Sequence, residues 1–328
     1  MKSCGSPEHS LKGQERMHTY PEAVVIEEQG LRDGIQNERV ILPTGLKLEI
    51  IDQLVAAGLT HLQVASFVHP RAVPQMADAA ELCAGLKPAA GVAYSTLVLN
   101  AKGMERALDA GLRWVEVSLS ASDAHSRANV NQSLALARSR MAQMVRRGKD
   151  AGLRLRGSVQ CAFGCRLQGR VAPDLVLDMV AEQLSLGVDE IKLADSTGMA
   201  HPGAVQELCG RVREAAAGKP VWLHLHDTEG KGLVNVLAAL QVGVRHFDTS
   251  FGGLGGCPFI RGASGNIATE DFAVMLHQMG IATGIDVAQV AAVSRRLEQF
   301  LGKSLAGKIH RLARRDDIEL FSEPADSP

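Results

Sequence analysis

Short apolar runs rich in branched residues recur along the chain, and each is followed by a polar loop and a longer stretch with helical periodicity. Successive runs are separated by roughly 30 residues. The runs occupy residues 23–28, 61–67, 92–98, 114–120, 153–160, 190–195, 221–227 and 246–253. This alternation predicts strand–helix units and therefore a parallel sheet.

Glycines mark the ends of the predicted helices. They follow an amphipathic segment and precede the next apolar run, where a helix C-cap is expected. The glycines in such positions are Gly58, Gly111, Gly152, Gly187 and Gly243. About eight strand–helix units predict a closed (β/α)₈ TIM barrel. An open, doubly wound sheet is the alternative, but no G-x-G-x-x-G motif follows the first run.

The length of the chain suits one barrel domain, and no linker rich in Pro, Gly or Ser divides it. We assign residues 21–312 to a single catalytic barrel domain with C-terminal helices. Residues 1–20 are expected to be a flexible N-terminal extension and residues 313–328 a loose tail. In such barrels the active site lies at the C-terminal ends of the strands, so polar residues found there should converge.

Composition narrows the class of protein. The chain is 46% hydrophobic and 22% charged, with a formal net charge of -1 and only 4% aromatic residues. This balance argues against nucleic acid or a membrane surface as a partner. The polar N-terminus lacks the apolar core of a secretory signal, so we expect a cytoplasmic protein. The six cysteines are then expected to be reduced thiols.

The segment HLHD contains two histidines at alternate positions. In a strand, residues i and i+2 point to the same face, so His224 and His226 should project together at the strand end. Paired imidazoles suit a divalent metal ion. The alternative is a pair of hydrogen-bonded barrel histidines.

The segment LRDGIQNERV follows directly on the first apolar run. Asp33 there would join the two histidines as a metal ligand, or else form an Asx turn or a helix N-cap. Arg32 could bind a substrate carboxylate or carbonyl and neutralise developing negative charge. A surface arginine is the alternative for Arg32.

A glycine-dense segment, FGGLGGCPFIRGASGNIATED, follows the eighth run. Cys257 in this segment could act as a general acid or base on a loop near the metal, or be a small buried hydrophobe. Asn266 could offer an amide oxygen to the metal, or be a helix N-cap. The segment has no Gly-Lys-Ser/Thr, so it is not a phosphate-binding P-loop.

Three weaker features remain. Asp195 ends the sixth run and is expected to face the same mouth of the barrel. The loop within residues 65–76 could line the entrance for the substrate. Cys161 and Cys165 are not spaced as C-x-x-C, which argues against a structural zinc site.

Four of these segments together resemble the DRE-TIM metallolyases, and within them the 3-hydroxy-3-methylglutaryl-CoA lyase family. The segments are RDGIQNE, SFVHPRAVPQM, HLHDTEG and GLGGCPFIRGASGNIATED. The likeness extends over nearly the whole predicted barrel, and the last segment is long and specific. The resemblance implies an acyl-CoA substrate, a homodimer and retro-aldol cleavage to acetyl-CoA and a keto acid such as acetoacetate.

The resemblance also implies roles for particular residues. A divalent cation, Mg²⁺ or Mn²⁺, would be held by Asp33, His224, His226 and Asn266. Arg32 would stabilise the enolate or its parent carbonyl, and Cys257 would take part in proton transfer. The predicted catalytic set is Arg32, Asp33, Gln63, His224 and Cys257, and the predicted substrate contacts are Arg32, Lys192 and Asp195.

Two residues depart from the family pattern. Gln63 replaces a glutamate that the family carries on the second strand, and an amide cannot accept a proton as a carboxylate does. Lys192 replaces a small residue, and strand alternation leaves open whether it points inward. These differences leave a related 3-hydroxyacyl-CoA or hydroxy acid, or a catalytically weak ligand-binding role, as alternatives. Gln63→Glu is expected to shift activity toward 3-hydroxy-3-methylglutaryl-CoA if this position decides specificity.

Overall fold

Eight parallel strands form a closed barrel in the computed structural model, which describes residues 20–256 and 265–312. The strands pair in chain order and β1 closes the barrel against β8. They are β1 Val25–Glu28, β2 His61–Ser66, β3 Ala93–Val98, β4 Trp114–Ser120, β5 Arg154–Gln160, β6 Glu190–Asp195, β7 Val221–Leu225 and β8 His246–Thr249. Every predicted run contains one of these strands, so the predicted TIM barrel is confirmed and the open sheet is excluded.

Ten α-helices cover the barrel within the described residues. They are α1 Thr44–Ala56, α2 Ala79–Ala84, α3 Ala101–Asp109, α4 Asp123–Val130, α5 Leu134–Asp150, α6 Pro173–Ser185, α7 Pro202–Ala215, α8 Gly232–Gln241, α9 Thr269–Gln278 and α10 Val287–Leu301. Several begin at a side-chain cap; Asn100, for example, accepts a hydrogen bond from the Gly103 N–H at 2.9 Å. The five predicted C-cap glycines all have positive φ angles. None of the described helices is long and apolar enough to span a bilayer.

The two faces of each strand differ in polarity. Apolar residues such as Leu193 and Phe247 are fully buried in the core shared with the helices, and Phe247 packs on Phe272 of α9 with ring centroids 5.3 Å apart. Burying each such side chain is worth about 1.5–3 kcal/mol. Alternate positions point into the barrel, where Lys192 and Glu116 are found. Barrels of this type usually fill that space with Val, Ile and Leu, so this charged interior is a departure.

Candidate active site

The polar residues predicted at the strand ends converge on one cavity of about 280 Å³. Arg32, Asp33, Lys192, His224 and His226 all line it. Arg32 and Asp33 follow β1, Lys192 lies on β6, and the two histidines lie on or directly after β7. The convergence expected from strand topology is therefore observed.

His224 and His226 project together as the alternation of β7 predicts. Their Nε2 atoms are 3.1 Å apart, and Asp33 Oδ2 lies 3.6 Å from Nε2 of His226 and 4.0 Å from Nε2 of His224. One donor atom from each of the three lies within 4.8 Å of the others. In the described part of the chain, this is the one group of three His, Cys, Asp or Glu residues close enough to hold a metal ion.

Asp33 belongs to a single π-helical turn, Gly30–Gly34, that follows β1. Burial alone would raise the pKa of Asp33, but Arg32, a hydrogen bond from His226 and the charges of both histidines hold it well below its usual range. The carboxylate is therefore ionised and available to a cation. Asp33 caps none of the described helices, and its oxygens accept from the side chains of Arg32, Gln36 and Asn266. Neither the N-cap nor the Asx turn is therefore observed among the described residues.

Asn266 reaches the same place from the loop after β8. Its Nδ2 donates to Asp33 Oδ2 at 2.9 Å and to the Leu254 carbonyl at 3.0 Å, while its Oδ1 is buried without a partner. A backbone bridge joins Asn266 to His226. The loop closes through Gly255 and Gly265, since a Cβ on Gly265 would lie 2.4 Å from the Gly255 carbonyl carbon. Ala268 is the N-cap of α9, so Asn266 is not one.

The chemistry of this donor set fits a divalent cation. Carboxylate, imidazole and amide oxygen donors suit such ions, and donor atoms about 3 Å apart can share an ion with bonds of about 2.1 Å. Nδ1 of His224 lies 3.0 Å from Asp248 Oδ2. A carboxylate in that position orients the ring and leaves Nε2 free for a metal.

Below the cavity, charged side chains fill the barrel. This interior network consists of Glu27, Glu116, Arg156, Glu190, Lys192 and Asp248, each at most 4% exposed. Lys192 Nζ lies 2.9 Å from Glu27, 2.8 Å from Glu116 and 2.6 Å from Asp248. Arg156 pairs with Glu27, and with Glu190 at 2.8 Å. Lys192 therefore points inward, which settles the orientation that alternation left open.

The network carries an excess of negative charge. Together with Arg32 and Asp33 it contains five buried carboxylates and three buried cations. Among these side chains two negative charges remain, which a divalent cation at Asp33 would balance. The charge of the site thus agrees with the chemistry of its donors.

Arg32 is buried, so the surface alternative is wrong. Its NH1 donates to Asp33 Oδ1 at 2.5 Å, its NH2 to Gln29 Oε1 at 2.6 Å, and its Nε to Gln63 Oε1. Two of these partners are neutral amides. The guanidinium therefore keeps positive charge beside the cavity, where an oxyanion could be stabilised.

Three predicted site residues in the described part of the chain, Gln63, Asp195 and Asn266, do not line the cavity. Gln63 is buried against Arg32, and Asn266 contacts Asp33 as described above. Asp195 lies on the other face of β6 from Lys192, and its oxygens accept the backbone N–H groups of Met199 at 2.8 Å and Ala200 at 3.1 Å. Asp195 thus orders its own loop, and the expectation of a substrate contact is not supported because strand parity turns it outward. Cys257 lies outside the described residues, so its role stays a prediction.

Sequence reasoning missed Glu27, Glu116, Arg156 and Asp248. Each is a charged residue inside an apolar run and is fully or almost fully buried. A charge at an inward strand position must find a partner, because an unpaired buried charge is costly. The charged residues within apolar runs were visible in the sequence, but which of them pair with each other was not.

Known proteins resemble this chain over nearly its whole length. A sequence model of the HMGL-like family matches residues 23–297. The cytoplasmic 3-hydroxy-3-methylglutaryl-CoA lyase of Rattus norvegicus is 39% identical over 289 residues, 88% of this chain and 84% of the relative. The mitochondrial hydroxymethylglutaryl-CoA lyase of Homo sapiens is 38% identical over 293 residues, covering 89% and 90%.

A solved structure is also similar to this chain over most of its length. The HMG-CoA lyase of Acinetobacter baumannii, determined in complex with coenzyme A and 3-methylmalate, has a TM-score of 0.86 and 37% identity, covering 90% of this chain and 97% of its own. The fold and the site thus define a TIM-barrel enzyme of the lyase class. The chain belongs to the HMGL-like family.

Proposed function

We propose that this protein is a divalent-metal-dependent lyase that cleaves 3-hydroxy-3-methylglutaryl-CoA into acetyl-CoA and acetoacetate. The observation that carries the proposal is the cluster of Asp33, His224 and His226 beside the buried guanidinium of Arg32. Lyases of this substrate at 37–39% identity support the choice of reaction. The proposal includes a homodimer in the cytoplasm, which size-exclusion chromatography and cell fractionation would test.

The reaction breaks the bond between C2 and C3 of the acyl group. A base takes the proton of the C3 hydroxyl, C3 becomes the ketone of acetoacetate, and the bonding electrons pass into the enolate of acetyl-CoA. That enolate is then protonated on carbon. Asp33, His224, His226 and the Asn266 amide oxygen would hold the cation, which acts as a Lewis acid toward a substrate oxygen.

Residues of the chain supply the remaining parts of this proposal. Arg32 faces the cavity with a charge only partly neutralised, so it can stabilise the enolate oxygen. Asp248 orients the ring of His224. Cys257, which the family resemblance assigns to proton transfer, would deliver the proton to the enolate.

A second candidate is the same cleavage of a different 3-hydroxyacyl-CoA. The charged interior of the barrel favours it, because Glu116 and Lys192 line the cavity where an acyl group would lie. Such a wall suits an acyl group with a hydrogen-bonding substituent better than one with a methyl group.

Turnover of a substrate panel tests the proposal. The purified protein with Mg²⁺ or Mn²⁺ is given 3-hydroxy-3-methylglutaryl-CoA and branched analogues, and mass spectrometry identifies the products. We expect acetyl-CoA and acetoacetate from the first substrate. Faster cleavage of an analogue would favour the second candidate, and no cleavage of any member would leave a ligand-binding role.

A further inference from the structure

The side-chain amide of Gln63 joins two charged residues. Its Oε1 accepts from Nε of Arg32, and its Nε2 donates to Oε2 of Glu116 at 3.0 Å. An amide has one accepting end and one donating end. Only one of its two orientations therefore satisfies a guanidinium on one side and a carboxylate on the other.

Glu116 is held firmly as an anion. It is 4% exposed, lines the cavity from β4, and lies 2.8 Å from Lys192 Nζ and 3.7 Å from Arg156 NH1. Burial would raise the pKa of Glu116, but Lys192 and Arg156 lower it to about 2. The carboxylate is therefore charged at neutral pH and can accept only hydrogen bonds.

The orientation of Gln63 matters because of what it offers Arg32. If the amide turned over, its NH₂ group would face the Nε–H of Arg32 and its oxygen would face the Glu116 carboxylate. Both hydrogen bonds would be lost, and Arg32 would lose one of the three contacts that fix it beside Asp33. An oxyanion-stabilising group works by being held in place beforehand.

We propose that Glu116 is a positioning residue of this active site, which acts through the Gln63 amide to hold the Arg32 guanidinium. Lys192 keeps Glu116 in place. The proposal rests on the proposed lyase function. It assigns a role to a residue of β4 that has no hydrogen bond to Arg32, Asp33, His224 or His226 in the described structure. The proposal also reverses the expectation that Gln63→Glu shifts activity toward 3-hydroxy-3-methylglutaryl-CoA. A glutamate at position 63 would lie about 3.0 Å from Glu116, the distance of the present hydrogen bond, and the two carboxylates would repel each other.

A cycle of three variants tests the proposal: E116Q, Q63E and the double variant Q63E/E116Q. We expect kcat of Q63E and of E116Q to fall about 10- to 100-fold at pH 7.5, because Q63E loses the hydrogen bond to Glu116 and E116Q replaces the acceptor-only carboxylate that fixes the orientation of the Gln63 amide. KM should change less, because Arg32 is needed chiefly when charge develops. The double variant exchanges the amide and the carboxylate between the two positions, so the amide on β4 can donate to the carboxylate on β2. Lys192 keeps Glu27 and Asp248 in this variant, and part of the loss should be recovered.

The matched control is E190Q. Glu190 is an equally buried carboxylate of the same interior network, but it pairs with Arg154 and Arg156 and has no contact with Gln63. We expect E190Q to lower kcat less than E116Q. A pH profile adds a second readout, since Q63E should regain activity relative to the wild type as the pH falls and the two carboxylates share a proton.

Turnover by the wild-type protein tests the proposed function by itself. The ratio of each variant's kcat to the wild-type kcat tests the role of Glu116, and it can be measured with whichever substrate of the panel is cleaved. Thermal unfolding of the same variants, which needs no turnover, should show Q63E less stable than the double variant. The proposal is overturned if Q63E keeps the wild-type kcat, if the double variant is no better than Q63E, or if E116Q behaves like E190Q. Lower stability with unchanged kcat would reduce Glu116 to a purely structural role.

Discussion

Lys192 makes the strongest prediction about stability. Its Nζ is surrounded by three buried carboxylates, Glu27, Glu116 and Asp248, at 2.6–2.9 Å. Lys192→Met keeps an unbranched side chain one atom shorter and removes the charge. Glu27 and Glu116 would then keep their ion pairs with Arg156, and Asp248 would keep its contact with His224.

Removing one partner of a buried ion pair costs about 3–5 kcal/mol, because the other charge stays buried. K192M should lose at least this much at pH 7.5, a large share of a total stability of about 5–15 kcal/mol. The loss should shrink on acidification. The cations lower the pKa values of Glu27 and Glu116 in the wild type from the ordinary 4.5, so the wild type loses that stabilisation as the pH falls below about 4.5, while K192M has less of it to lose.

Urea unfolding at pH 7.5 and about pH 3.5, on either side of the ordinary pKa of a glutamate, measures both effects, with K47M as the matched control. Lys47 is equally buried but pairs with one carboxylate, Asp78, at 2.7 Å, which is itself 19% exposed. We expect K192M to lose clearly more stability than K47M at pH 7.5, and we expect this loss relative to the wild type to shrink more on acidification than the loss in K47M. Equal losses in the two variants, without pH dependence, would refute the reasoning.

Three further predictions concern single residues. Burial raises the pKa of Glu28 from 4.5 to about 7, so the free energy of unfolding should fall as the pH rises through this range. Glu28→Gln should remove about 3 kcal/mol of that change. An unchanged pH dependence in urea unfolding would count against this role of Glu28. Asp248→Asn should weaken Mn²⁺ binding about 10- to 100-fold, because Asp248 orients His224; an unchanged affinity by calorimetry would contradict this role. His226→Ala should lose the bound metal on elemental analysis while the exposed control His201→Ala retains it, and equal metal content would reject the ligand assignment.

Local periodicity explains why the fold was predictable. Each strand is an apolar run, each C-cap glycine precedes one, and the βαβ rule fixes the order of the strands. The convergence of Asp33, His224 and His226, the candidate metal site, followed from the same rules. His224 and His226 share a face by alternation, and Asp33 follows a strand that ends at the same side of the barrel.

Contacts across strands were beyond this reasoning. Gln63 and Glu116 are 53 residues apart, and their meeting depends on the register of β2 against β3 and of β3 against β4. A shift of one residue would turn either side chain outward. The error for Asp195 has a related cause. The sequence did not show which face of β6 is inward, and Asp195, next to the inward Ala194, faces away from the cavity.

The central claim is that a divalent cation at Asp33, His224, His226 and Asn266 enables cleavage of 3-hydroxy-3-methylglutaryl-CoA. The most direct measurement is the rate of acetoacetate formation by chelator-stripped protein before and after Mn²⁺ is added back. We expect almost no product before the addition and full recovery at about one ion per chain. An equal rate without metal, or no product after the addition, would contradict it.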